Sequence, residues 1–122
     1  MPRPLDKRRN KQRGTRFEYR VRDHLKSLGW TVFRSAGSRS PADLIALAQS
    51  YDNSLITLCV QCKAYEDPTL ERAEFKGLLA LRKMGALVLV ISRLEGNHAL
   101  QFFELSRRGY TLIDLNGEPE WL

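Results

Sequence analysis

Between Leu70 and Ile91 the chain changes period. A helical stretch runs to Met84, Gly85 interrupts it, and Leu87-Val88-Leu89-Val90-Ile91 follows as an unbroken apolar run. Such a run, partly β-branched and bounded by glycine, reads as a strand covered on both faces. Ahead of the helix, Leu55 to Lys63 alternates instead: Ile56, Leu58, Val60 and Cys62 on one face, Leu55, Thr57, Cys59, Gln61 and Lys63 on the other. A helix joining two strands of one sheet makes them parallel through a right-handed crossover. The fold class is therefore α/β, with a central mixed β-sheet flanked by helices.

The other segments fit that frame. Phe17, Val21, Leu25 and Leu28 recur at helical spacing and Gly29 follows, predicting a helix from Thr15 to Leu28 with Thr15 as N-cap. Trp30 to Arg34 and Asp43 to Ala48 read as strands separated by a loop rich in Ser, Gly and Pro. Asp52-Asn53-Ser54 is a hairpin turn leading into Leu55. Gln101 to Leu105 and Tyr110 to Leu115 are expected as further strands, divided by Ser106-Arg107-Arg108-Gly109. The segment before the first helix, residues 1–14, carries Arg3, Lys7, Arg8, Arg9, Lys11 and Arg13 with almost nothing apolar, and is expected to be a flexible basic arm. Residues 15–122 then form a single domain.

Twenty Lys and Arg against fourteen Asp and Glu leave a net charge of +6, which favours a polyanionic partner, nucleic acid first. No apolar run approaches the ~20 residues of a membrane span. No signal-peptide core follows the basic N-terminus, so a cytoplasmic protein without membrane contact is expected. Cys59 and Cys62 have no second pair or nearby His to complete a zinc site, and on a strand they point to opposite faces, so reduced thiols are expected. No GxGxxG or phosphate-loop pattern occurs, which argues against a nucleotide cofactor.

Chemistry concentrates in Phe33 to Ala46 and Val60 to Lys63. A polar loop feeds Asp43 at the head of one strand. Gln61 and Lys63, two apart on the next strand, share a face and can aim at one phosphate. An acid, a polar ligand and a lysine in this layout point to a metal-dependent phosphodiesterase.

The motifs GTRFE at Gly14 to Glu18, RSAGS at Arg34 to Ser38, DLIA at Asp43 to Ala46 and QCK at Gln61 to Lys63 resemble the archaeal-type Holliday-junction resolvases of the PD-(D/E)xK nuclease superfamily. The resemblance spans Gly14 to about Leu115, through the helix ending at Gly85, the apolar strand and the later FFEL. It implies a restriction-endonuclease-like fold, a homodimer, and paired Mg2+-dependent incisions of four-way DNA junctions, with Mn2+ able to substitute. Such proteins are carried by archaea and by bacteriophages, which would place this one in an archaeal cell or a phage-infected host.

The resemblance implies the following roles. Asp43 is the principal metal ligand, Lys63 holds the attacking water and offsets transition-state charge, and the backbone carbonyl of Cys62 helps complete the metal shell. Gln61 departs from the family, which more often has Glu there; an amide carbonyl can ligate the metal but brings no charge. The alternatives to Gln61 as a ligand are an inactive, binding-only descendant, or a different acid such as Glu66 or Glu74 entering the site. Glu18 matches the family's metal-approaching helix-one Glu, yet Thr15-x-x-Glu18 also matches a capping box. Ser38, and less so Ser35, would contact phosphate, or merely permit the bend. Arg34, Arg16 and the arm residues Arg8, Arg9, Lys11 and Arg13 are the expected DNA contacts. Open alternatives are a related nuclease acting on other branched or damaged DNA and a noncatalytic nucleic-acid-binding module.

Overall fold

The computed structural model describes residues 4–35, 41–64, 67–94, 96 and 99–113, with the side chains of 4–11 and 113 outside the description. The elements are α1 (Pro4–Ser27), β1 (Thr31–Arg34), β2 (Leu44–Gln49), β3 (Leu55–Cys62), α2 (Arg72–Lys83), β4 (Leu87–Arg93), β5 (Leu100–Ser106) and β6 (Gly109–Ile113). The strands form one six-stranded sheet in sequential order. β3 and β4 pair in parallel across the α2 crossover. All other neighbours are antiparallel, which makes the sheet mixed as expected.

Each helix covers one face. Phe17, Val21 and Leu25 lock α1 onto Val32, Leu44, Ala46, Leu58, Val60, Leu89, Ile91 and Phe102. On the opposite face Leu78 of α2, flanked by Phe75 and Leu81, packs on Ala42, Cys59, Val88 and Leu105. Leu78 is thus core, and Phe75 is half-buried against it. β4 lies between both layers, and residues 88–92 are buried throughout, which accounts for its unbroken apolar sequence. α2 reaches only the middle of the sheet. Beside it the exposed Ile45, Leu55 and Met84 line a depression of about 640 Å3 that reaches Cys59 and Leu87, and Phe33, paired with Ile45, is exposed as well.

Helix ends and turns follow local chemistry. Both helices stop at a glycine in the left-handed region, Gly29 at φ 99° and Gly85 at φ 106°. The next amide, Trp30 or Ala86, bonds back to the carbonyl of Leu25 or Leu81. Asn53 takes φ 67° in the β2–β3 hairpin. There the Asp52 carboxylate accepts the Ser54 amide and the hydroxyls of Ser50 and Ser54.

The N-terminus corrects the sequence expectation. Residues 4–14 are not a structureless arm; they are the first half of α1, which starts at Pro4 instead of Thr15. Pro is pre-organised for a helix start, and Lys, Arg and Gln are good helix formers. Once Phe17, Val21 and Leu25 anchor the second half, propagation outward needs no further nucleation. Gly14, at about 1 kcal/mol relative to Ala, does not interrupt it. Among the described residues no helix is long and apolar enough to cross a membrane, and both cysteines are free thiols.

Candidate active site

The site forms where β2 begins and β3 ends. The Asp43 amide bonds the Val60 carbonyl at 2.9 Å, and the Asp43 carbonyl accepts the Ser35 amide at 2.8 Å. Its backbone is therefore pinned from both neighbouring strands. Among the described residues β3 has no strand partner on the β2 side beyond this point, which leaves the Cys62 amide without a ladder bond. Asp43 Oδ2 accepts it at 2.9 Å. The next amide, Lys63, turns the other way to the Ile91 carbonyl at 2.8 Å. This alternation sends the Cys62 side chain toward the α1 core and leaves Gln61 and Lys63 on the α2 face.

A second carboxylate meets them there. Lys63 Nζ donates to Oε1 and Oε2 of Glu74, both at 2.9 Å. Gln61 Nε2 donates to Glu74 Oε2 at 3.2 Å. With its NH2 group directed at a carboxylate, Gln61 keeps its carbonyl oxygen as an available acceptor. Glu74 stands three residues into α2, and its Oε1 also accepts the Glu71 amide at 3.0 Å, closing the helix start.

Glu18 approaches from the α1 side. One residue beyond the buried Phe17, it sits on the flank of the packed stripe with its side chain 18% exposed, and it accepts Arg34 Nε at 2.6 Å. Since Thr15 lies within α1, the capping-box reading of Thr15 and Glu18 is removed. Arg34 is further held near the face of Tyr19, 5.3 Å from the ring centroid, with Arg22 at 4.6 Å. From sequence Tyr19 could equally stack on DNA bases or cover the sheet edge.

Electrostatics set the carboxyls apart. Burial raises the Asp43 carboxyl above its ordinary value, and Glu18 and Glu74 push the same way, while the Cys62 amide and Lys63 oppose. For Glu74 burial also works upward, but the Glu71 amide and Lys63 prevail and hold it below the ordinary range. The Glu18 hydrogen bond and charge raise Arg34. Burial first, then Asp43 and Glu18, drive the Cys62 thiol well up, so it is no nucleophile.

Asp43, Gln61, Cys62 and Lys63 are thus brought together as the spacing required, with Glu18 close enough to act on Asp43. Arg13 and Arg16 are exposed on α1. The side chains of Arg8, Arg9 and Lys11, together with Ser38 and Glu66, lie outside the described residues. Sequence reasoning named Glu74 only as an acid that could enter the site and missed how it ties together Gln61 and Lys63; Glu71-x-x-Glu74, readable as a helix start, was the available signal for its placement. Among the described residues no group of three His, Cys, Asp or Glu is gathered to hold a metal.

Two helices sandwiching a mixed sheet, with an acid, an amide and a lysine at the end of its antiparallel β2–β3 pair, define a nuclease-type α/β domain. The restriction endonuclease family Mrr_cat matches residues 9–117, and the chain belongs to that family. Among solved structures it is similar to Hjc of Archaeoglobus fulgidus, a Holliday junction resolvase from an archaeal hyperthermophile. That likeness has a TM-score of 0.55 and 20% sequence identity, covering 80% of this chain and 87% of the other. The fold is accordingly restriction-endonuclease-like. No curated protein matches the chain.

Proposed function

We propose that this protein is a structure-selective endonuclease that resolves four-way DNA junctions as a homodimer, by Mg2+-dependent phosphodiester hydrolysis. The observation that carries the reading is the Asp43, Gln61 and Lys63 constellation, fastened by the 2.9 Å bond from the Cys62 amide to Asp43. The likeness to Hjc over most of both chains supports the junction as substrate.

The donor set suits a hard cation. Mg2+ keeps several waters and is typically held by one or two carboxylates together with substrate phosphate. Asp43, the Gln61 carbonyl and the Cys62 backbone carbonyl are oxygen donors of that kind. When bound, the ion would polarise the scissile phosphate and lower the pKa of an attacking water. Lys63 supplies positive charge where it develops on phosphate oxygens. Asp43 does its part only when ionised, which its burial resists.

DNA would be held chiefly through phosphates. Arg13 and Arg16 on α1, with Arg8, Arg9 and Lys11 further along the same helix, form a basic rod instead of a trailing arm. Arg34, whose Nε holds Glu18, lies beside the loop to which Ser35 and Ser38 belong. Two copies related by a two-fold axis would bring two sites to symmetric strands of a junction. The exposed apolar stretch around Phe33, Ile45, Leu55 and Met84 offers a surface for that pairing.

The restriction endonuclease family favours one second reading, cutting of ordinary duplex. Incision of a labelled synthetic four-way junction and a linear duplex in Mg2+, by the native chain and by Asp43→Asn, separates the two. Paired symmetric nicks on the junction alone, lost in Asp43→Asn, are expected. Equal cutting of the duplex would move the reading to a general endonuclease, and binding without nicks to a noncatalytic module.

A further inference from the structure

Position 61 lacks the carboxylate that the metal-dependent reading would place beside Asp43, and a carboxylate from another element lies against it. We propose that Glu74, carried on α2, supplies this second carboxylate in place of residue 61. The proposal rests on the metal-dependent nuclease reading above and assigns one more residue to that site.

Three observations converge on it. Glu74 Oε2 is 3.2 Å from Gln61 Nε2, so the helix acid and the strand amide share one location in the site. Both Glu74 oxygens lie 2.9 Å from Lys63 Nζ, which puts the acid on the catalytic lysine. The Glu71 amide, 3.0 Å from Oε1, fixes the carboxylate toward the sheet from a rigid helix start. Its partly buried state, with a side chain 26% exposed, is compensated by these donors, and its charge is felt at the Asp43 carboxyl. A Glu at position 61 would meet Glu74 head-on; an amide instead donates to it. Gln61 is thereby the complement of an acid arriving from α2, and not simply a lost ligand.

The test is a reciprocal exchange read by binding of Mn2+ alone, followed by electron paramagnetic resonance and calorimetry, with circular dichroism confirming fold. Glu74→Gln should weaken Mn2+ binding by about tenfold or more, in the range seen when groups supporting a metal site are removed. Gln61→Glu combined with Glu74→Gln keeps the total charge and places the acid on β3. Its affinity should return to within about threefold of native. Unchanged binding in Glu74→Gln would overturn the proposal. So would a double variant as weak as the single one, since Glu74 would then serve only as counter-ion to Lys63. Asp43→Asn keeps the two ideas apart: Mn2+ binding that depends on Asp43 but ignores Glu74 sinks only this inference, and a native chain that binds no Mn2+ sinks both.

Discussion

Gly77 of α2 faces the segment that delivers Asp43, and a β-carbon built there would lie 2.8 Å from Pro41 Cβ. Gly77→Ala sets two effects against each other. Helix propensity alone favours Ala by about 1 kcal/mol. The contact opposes it, because two carbons must separate to about 3.5 Å and the proline ring cannot rotate aside. Pro41 or α2 must give by more than half an ångström, and overpacking of this kind costs about 1–3 kcal/mol. The net loss is about 0–2 kcal/mol, a fall in Tm of no more than about 10 °C for a domain of this size. Function should suffer more than stability. Asp43 lies two residues beyond Pro41, and Glu74 one helical turn before Gly77, so the methyl wedges apart two sides of one site. Such sites tolerate about 0.5 Å, and a 1 Å misplacement can cost about a hundredfold. Single-turnover incision of a four-way junction should therefore slow about ten- to a hundredfold, with calorimetry showing a folded protein. A variant stabilised by about 1 kcal/mol, as propensity alone dictates, and cutting at the native rate would refute the reasoning.

Three further outcomes are expected. The Asp43 carboxyl is raised in the fold above 3.8, mainly by burial, so folding resists its ionisation; stability from this group is fullest at acid pH and declines as pH rises from 3.8 through the folded value. In urea titrations Asp43→Asn should thus be at least as stable as native at neutral pH, the gap closing below that window; a less stable variant would contradict the sign. Asp52 is the opposite case, lowered to about 2 by the hydroxyls of Ser50 and Ser54, so its contribution holds above 3.8 and is lost as pH falls through about 2. Asp52→Asn should flatten the acid limb of the stability profile across that interval, and an unchanged limb would remove the turn network from the account. Glu18→Gln leaves Arg34 an acceptor and should cost less than about 1 kcal/mol in denaturant, while slowing junction incision; a native rate would end the catalytic assignment of Glu18.

Short-range physics made most of the fold readable. The alternation in Leu55 to Lys63, the apolar run at Leu87 and the glycines at 29 and 85 express pleat, burial and helix-end geometry, each acting over a few residues. Even the β3–β4 pairing followed, since a helix of this length between strands leaves little choice of topology. The heart of the site was equally legible. Asp43, Gln61 and Lys63 depend only on one strand's side-chain period and on the hairpin that sets β2 against β3.

The misreadings lie where distant parts meet. Thr15-x-x-Glu18 is a sound helix start in isolation, but apolar anchoring of Phe17, Val21 and Leu25 on the sheet lets good helix formers extend α1 back to Pro4. Glu18 thereby becomes a flank residue whose partner, Arg34, is 16 positions away. In the sequence Glu74 is only one of two acids, with Glu66, that could enter the site. Only the return of α2 across β3, driven by burial of Leu78 against Cys59 and Val88, sets it on Lys63 and Gln61. The sequence by itself determined the strands, the second helix, the parallel crossover and the grouping of Asp43, Gln61 and Lys63, because these follow from local periodicity. Tertiary packing alone decided which acids lie against that grouping and which cations hold them, because those contacts arise from how the two described helices settle on opposite faces of one sheet.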